Sequence, residues 1–122
     1  MASMRSIPAV AILLAGTGLA GCVSSGPAPA TPDATLVQTV DQMLGGNQCA
    51  PQIAGQLAGY RLTAPSLASI YQQPVWDANI RTFTQRQIWV KLAGRPGSVV
   101  VTYDRESCRL INSYGADGAV FS

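Results

Sequence analysis

The stretch Val23 to Thr35, VSSGPAPATPDAT, carries three prolines and no large apolar side chain beyond Val23. Pro-rich segments of this kind stay extended and cannot bury a core. The stretch therefore reads as a tether, and it confines folding to residues 36–122 of a 122-residue chain. A core of that size is near the lower limit of what folds unaided, so one small domain is expected.

What precedes the tether has the composition of a leader. Met1 to Ser6 carries one charge, Arg5, and Ile7 to Ala20 is apolar apart from Pro8, Gly16, Thr17 and Gly18. Fourteen residues are too few to span a bilayer, which takes roughly 20 in a helix, so a secretory signal fits better. The run ends in Leu19-Ala20-Gly21-Cys22, which resembles the lipobox of bacterial lipoproteins. The resemblance implies that residues 1–21 are removed as a signal peptide and that Cys22 is lipidated, with palmitate among its acyl chains. Residues 22–35 then form the lipidated tether, and Val23 in place of Asp implies the outer membrane, on its periplasmic face or the cell surface.

With Cys22 assigned to lipid, Cys49 and Cys108 remain. An even pair in an oxidising compartment most simply forms a disulfide. Loss of Arg5 with the leader leaves seven basic residues against six acidic ones. A balance so close to neutral, with no basic stripe, argues against a nucleic-acid partner.

Within residues 36–122, Leu36, Val37, Val40, Met43 and Leu44 have helical spacing and stop at Gly45-Gly46, which predicts a short amphipathic helix. Cys49 to Tyr60 starts with a turn at Pro51 and predicts a second helix. Thr63-Ala64-Pro65 resembles a helix start, with Leu67, Ile70 and Tyr71 on one face before Pro74. Trp76, Ile80 and Phe83 also have helical spacing, although Val75 to Thr84 could equally be a loop packed by its aromatics. From Arg86 the period becomes two. Ile88, Val90 and Leu92 alternate with Trp89 and Lys91, a half-buried strand ended by Gly94-Arg95-Pro96-Gly97. Leu110 to Tyr114 and Ala119 to Phe121 are further strand candidates around a turn at Gly115 to Gly118. Helices first and strands after predict an α+β domain, one or two helices on a short mixed sheet.

The chain has no histidine, which removes the commonest general base and metal ligand and the usual nucleophilic triads. No zinc ligand set, Gly-rich phosphate loop or other cofactor motif is present, so no metal or cofactor is expected. Asp104 and Glu106 are the closest carboxylate pair and read better as a solvated loop than as a glycosidase pair. A non-enzymatic protein is expected. Trp76 and Trp89 read as packing residues before they read as a sugar-stacking surface.

Polar, charged, aromatic and cysteine residues crowd together only in Val99 to Leu110, VVVTYDRESCRL. One parse is a strand that turns at DRES. The other follows from the run Gly97 to Val120, in which Val101, Thr102, Asp104, Arg109, Leu110 and Asp117-Gly118 resemble the potato inhibitor I group of serine-protease inhibitors and its bacterial and fungal relatives. Leu57-Ala58-Gly59 resembles the Leu-Val-Gly before that family's helix, so the likeness runs from about Cys49 to Val120. It implies an exposed, substrate-like loop with Thr102, Tyr103, Asp104 and Arg105 in contact with a protease of the chymotrypsin or subtilisin kind. Alternation sets Tyr103 against Thr102 and Asp104, with Tyr103 outward in this reading and Asp104 inward to meet Arg109. Cys108, bridged to Cys49, would pin the loop. The reading requires Ser98 to Ser107 unpaired and protruding, with Arg86 to Leu92 parallel to Arg109 to Tyr114. Its rival is a lipid-anchored interaction module, or a subunit of an envelope or secretion assembly, in which the same residues form an ordinary hairpin.

Overall fold

The computed structural model describes residues 26–121; the leader and Cys22 lie outside them. Two helices precede a four-stranded sheet. Helix α1 is Ala34–Met43, α2 is Ala50–Gly59, and the strands are β1 Leu67–Asp77, β2 Thr82–Leu92, β3 Ser98–Asp104 and β4 Leu110–Ala116. The strands are ordered β1-β2-β3-β4 and every pairing is antiparallel. The expected α+β class is observed, but the sheet is a plain meander and not mixed.

Both helices start and stop where local chemistry directs. The Asp33 carboxylate caps α1 by accepting from the Leu36 amide at 2.7 Å, a bond that satisfies one of the free N–H groups of the first turn. Gly45 and Gly46 end it with φ of 73° and 96°, a backbone region that costs glycine little. Pro51 occupies the first turn of α2. There its missing N–H is no loss. The helices bury Leu36, Val40, Ile53, Ala54 and Leu57 against Ile88, Val90, Leu92, Val99, Val101 and Tyr103 of the sheet. Burial of each large apolar side chain stabilises by about 1.5–3 kcal/mol, so this seam holds the domain together.

Four local readings are corrected. Thr63 to Tyr71 is not a helix: a single 3-10 turn at Ala64–Ser66 leads directly into β1. The misleading cue is a β-bulge. Between Leu67 and Ser69 the register with β2 slips by one, so that Leu67 pairs with Leu92 and Ile70 with Val90. A bulge places residues three apart on one face of a strand, which mimics helical spacing. Val75 to Thr84 is likewise neither helix nor loop but the outer part of the β1–β2 hairpin. Ala119 to Phe121 is not a strand; the tail turns back through an Ala119 N–H to Ala116 bond, and Phe121 packs on Tyr60 with ring centroids 4.8 Å apart.

The fourth correction concerns the tether. From Gly26 it is docked. The Gly26 amide donates to the Ser113 carbonyl at 2.7 Å and the Ala30 amide to that of Gly55 at 2.9 Å, while the Gln56 side-chain amide donates to the Pro27 carbonyl at 2.8 Å. Proline-rich chain cannot build a core, yet it can lie along one that offers backbone and amide partners. The close approach depends on glycine: a Cβ on Gly59 would stand 2.3 Å from the Ala28 carbonyl oxygen. Gly59→Ala is therefore expected to release the segment, seen as loss of hydrogen-exchange protection at the Ala30 amide while the amides of Val90 and Val101 keep theirs.

Candidate functional site

The expected protease-contact residues belong to the sheet. Ser98 to Asp104 pairs with Gln85 to Lys91 on one side, and Ser98 to Tyr103 pairs with Leu110 to Ala116 on the other. Strands β2 and β4 are thus separated by β3 and are not neighbours. Tyr103 is 1% exposed and Thr102 6%, so neither is offered to a protease, and the Tyr103-Asp104 bond lies at the end of a paired strand. Alternation does hold, with its two faces exchanged relative to the loop reading. Val99, Val101 and Tyr103 face the helices, and Thr102 and Asp104 face away.

The reason is a polar partner for the tyrosine. Its hydroxyl accepts from the Asn47 side-chain amide at 2.8 Å and donates to Gln72 Oε1 at 2.5 Å. Asn47 is held in turn by Asp41 Oδ1, which accepts its backbone N–H at 2.7 Å, and its own side-chain oxygen accepts from the Cys49 amide at 2.7 Å. Burial raises the Tyr103 pKa above its ordinary value, against lowering contributions from Asn47 and Arg86. A buried aromatic with a satisfied hydroxyl ties the α1–α2 loop to β1 and β3.

DRES is the turn of the β3–β4 hairpin. Asp104 Oδ1 accepts the backbone N–H of Glu106 at 2.9 Å and of Ser107 at 3.0 Å, the Asp side chain standing in for a backbone turn. These bonds, Ser107 first, hold its carboxyl below the ordinary pKa. Arg109 does not brace it by a side-chain hydrogen bond: the two residues join through the backbone, Asp104 N–H to Arg109 carbonyl, 2.9 Å, and the guanidinium acts only as a distant charge. Arg105 is exposed and donates its backbone N–H to the Thr84 carbonyl at 2.9 Å. Cys108 does pin the turn. The Cys49–Cys108 disulfide is present, Cα to Cα 5.1 Å, and fastens the turn to the start of α2.

With the central segment accounted for by folding, the features left over lie on the β1–β2 arm. Strand β3 pairs with β2 only from Gln85 onward and the turn after it reaches Thr84, so Trp76 to Phe83 extends beyond the sheet as a two-stranded ribbon. Tyr71, Trp76, Ile80 and Phe83 are between 49% and 62% exposed. Trp76 and Phe83 stack on each other across the ribbon, centroids 4.8 Å apart and planes tilted by 57°. At the arm's turn Asp77 Oδ1 accepts the Asn79 N–H at 2.9 Å and its Oδ2 accepts from the Gln85 side chain at 3.1 Å. No family model matches the chain, and comparison with curated proteins and with solved structures finds no match either.

Further down the same hairpin, Gln73 and Trp89 both donate to Gln87 Oε1 at 3.0 Å. Trp89 and Tyr114 stand on either side of Val100 in the register, and Val100 is fully buried although it faces away from the helices. Trp89 is thus a packing residue, whereas Trp76 is an exposed one. Sequence reasoning did not separate them, because only the end of β3 determines which part of the hairpin is covered.

Proposed function

We propose that the protein is a lipid-anchored envelope module that binds another protein through its β1–β2 arm, and that it is not an enzyme. The single observation behind this reading is the arm itself: three large apolar side chains, Trp76, Ile80 and Phe83, two of them stacked, held in water on a ribbon that the sheet does not cover. Isolated exposed apolar residues are ordinary, but a cluster of aromatics is the composition of a binding hot spot. The stack also lowers the ordering entropy lost on association. Anchoring through Cys22 rests on the resemblance of Leu19-Ala20-Gly21-Cys22 to a lipobox, and the outer membrane on Val23 after it.

Protease inhibition through Ser98 to Ser107 has no place in the proposal, since Tyr103 is committed to the core. Edge pairing through the middle of β1 is also disfavoured, because Pro74 interrupts the row of N–H groups that a partner strand would need. Side-chain contact at the arm is the better mode.

Trp76→Ser combined with Phe83→Ser removes the stack without touching the helix-sheet core. The double variant is expected to keep the wild-type far-ultraviolet dichroism and to lose at least about tenfold in affinity for the envelope partner, the loss of a modest hot spot. Undiminished co-purification of the same partner with this variant would exclude the arm as its site.

A further inference from the structure

The docked tether fixes more than its own position. Gly26 lies against Tyr60, with so little space that a Cβ there would overlap the Tyr60 hydroxyl. The Tyr60 ring packs on Phe121, and the Arg95 guanidinium stands 5.2 Å from the Phe121 ring centroid. Arg61 follows Tyr60 and lines the same shallow groove with Pro27 and Phe121. Val120 beside them is 75% exposed. The first described contact of the tether therefore borders a patch of two exposed arginines and an exposed apolar residue, Val120.

From Cys22 to Gly26 there are four peptide steps, at most about 14 Å of fully extended chain. That length is less than half that of β2, an eleven-residue strand of about 33 Å, so a lipid on Cys22 holds the Gly26 side of the domain close to the bilayer. We infer that this end of the domain, Arg61, Arg95, Val120 and Phe121, is seated on an anionic phospholipid surface, an assignment that rests on the lipidation of Cys22. Guanidinium groups are attracted to the negative headgroup layer, and a short apolar tail flanked by them can enter the interface. Asp117, on the turn just before the tail, offsets one of the charges; Lys91, exposed near the same end of β2, restores it.

The seating also orients the arm. The β2–β3 connection that carries Arg95 and the β1–β2 turn lie at opposite ends of β2, an eleven-residue strand about 33 Å long. Asp77, Asp104 and Glu106 belong to the far end. With the arginines on lipid, Trp76, Ile80 and Phe83 point away from the membrane, where a protein partner can reach them. One end of the sheet meets lipid and the other meets protein.

The test uses isotope-labelled protein purified from membranes, with its mass reporting whether Cys22 carries lipid. It is placed in nanodiscs of phosphatidylethanolamine and phosphatidylglycerol doped with a gadolinium-chelate lipid, and amide signals are read by nuclear magnetic resonance. The expected result is loss of the Arg61, Arg95, Ala119 and Val120 amide signals, with those of Ala78 to Thr82 undiminished, and loss of that contrast in Arg61→Glu/Arg95→Glu, whose domain stays tethered close to the lipid but no longer holds one orientation. Uniform broadening, or broadening centred on the arm, in a wild-type protein whose Cys22 is lipidated overturns the seating and leaves the anchor standing. Unchanged broadening in the double variant overturns the role of the arginines. An unmodified Cys22 overturns the anchor and the seating together.

Discussion

Tyr103→Ala is expected to destabilise the domain by about 3–5 kcal/mol, the range for deleting a large buried aromatic side chain. The residue is 1% exposed among core side chains from both helices and three strands, and its loss leaves a cavity in that core. Tyr103→Phe keeps the ring and removes only the hydroxyl bonded to Asn47 and Gln72, so about 1 kcal/mol is expected. Urea denaturation of the two variants separates packing from hydrogen bonding. The raised pKa of Tyr103 adds a dependence on pH with a definite sign. Because the folded state holds the phenolic proton more tightly than the unfolded chain, this stabilisation is complete below the ordinary value of 10.0 and is lost as the pH rises from there through the folded value. Tyr103→Phe should lack that alkaline loss. A Tyr103→Ala protein as stable as the wild type would return the side chain to the surface and reopen the loop reading.

Cys49→Ser together with Cys108→Ser is expected to cost about 4 kcal/mol on the chain-entropy account of cross-links, given the sequence separation of 59. Small domains have only about 5–15 kcal/mol in total, so the bridge supplies a large share. Its position adds a local effect. It joins the residue before α2 to the β3–β4 turn, so Gln48 and Arg105, linked by a side-chain amide to carbonyl bond of 3.1 Å, should lose their mutual restraint when it is removed. Thermal unfolding with and without reductant checks the first effect, and hydrogen exchange at Cys108 and Ile53 checks the second. A midpoint that does not move under reductant would show that the rest of the core suffices.

The parts of the fold that were legible in the sequence are those in which a local pattern and the final packing agree. The alternation Ile88, Val90, Leu92 reads directly as the buried face of β2, the Gly45-Gly46 stop as the end of α1, and the two remaining cysteines as a disulfide. The central segment was harder for a specific reason. Val99, Val100 and Val101 are all apolar and all fully buried, so nothing in VVV indicates which alternate set turns to the helices, and Tyr103 could be assigned to either side. Its partners Asn47 and Gln72 are 56 and 31 residues away in sequence, beyond any local signal. The bulge at Ala68 misled in the opposite direction, producing a helical period inside a strand. Gly55 and Gly59 in α2 are a local cue to the docked tether. Two glycines four apart make a flat helix face on which another backbone can lie, and here that backbone is the tether's own.

The exposed arm likewise followed from lengths that only pairing reveals. Strands β1 and β2 each have eleven residues and β3 and β4 seven, so the outer part of the longer hairpin has no neighbour to cover it. The aromatic residues at that end were expected to pack, and they do pack, but on each other. Whether they also meet a partner is the central claim. The most direct test replaces Ile80, at the arm's turn, with a photoreactive phenylalanine analogue and irradiates intact cells that produce the protein. A second protein carries the same probe at Tyr114, which is 42% exposed but lies on β4, at the opposite edge of the sheet from β1. The account predicts one discrete cross-linked adduct from position 80, abolished by Trp76→Ser/Phe83→Ser, and none from position 114. No adduct at position 80, or the same adduct from both positions, would contradict it.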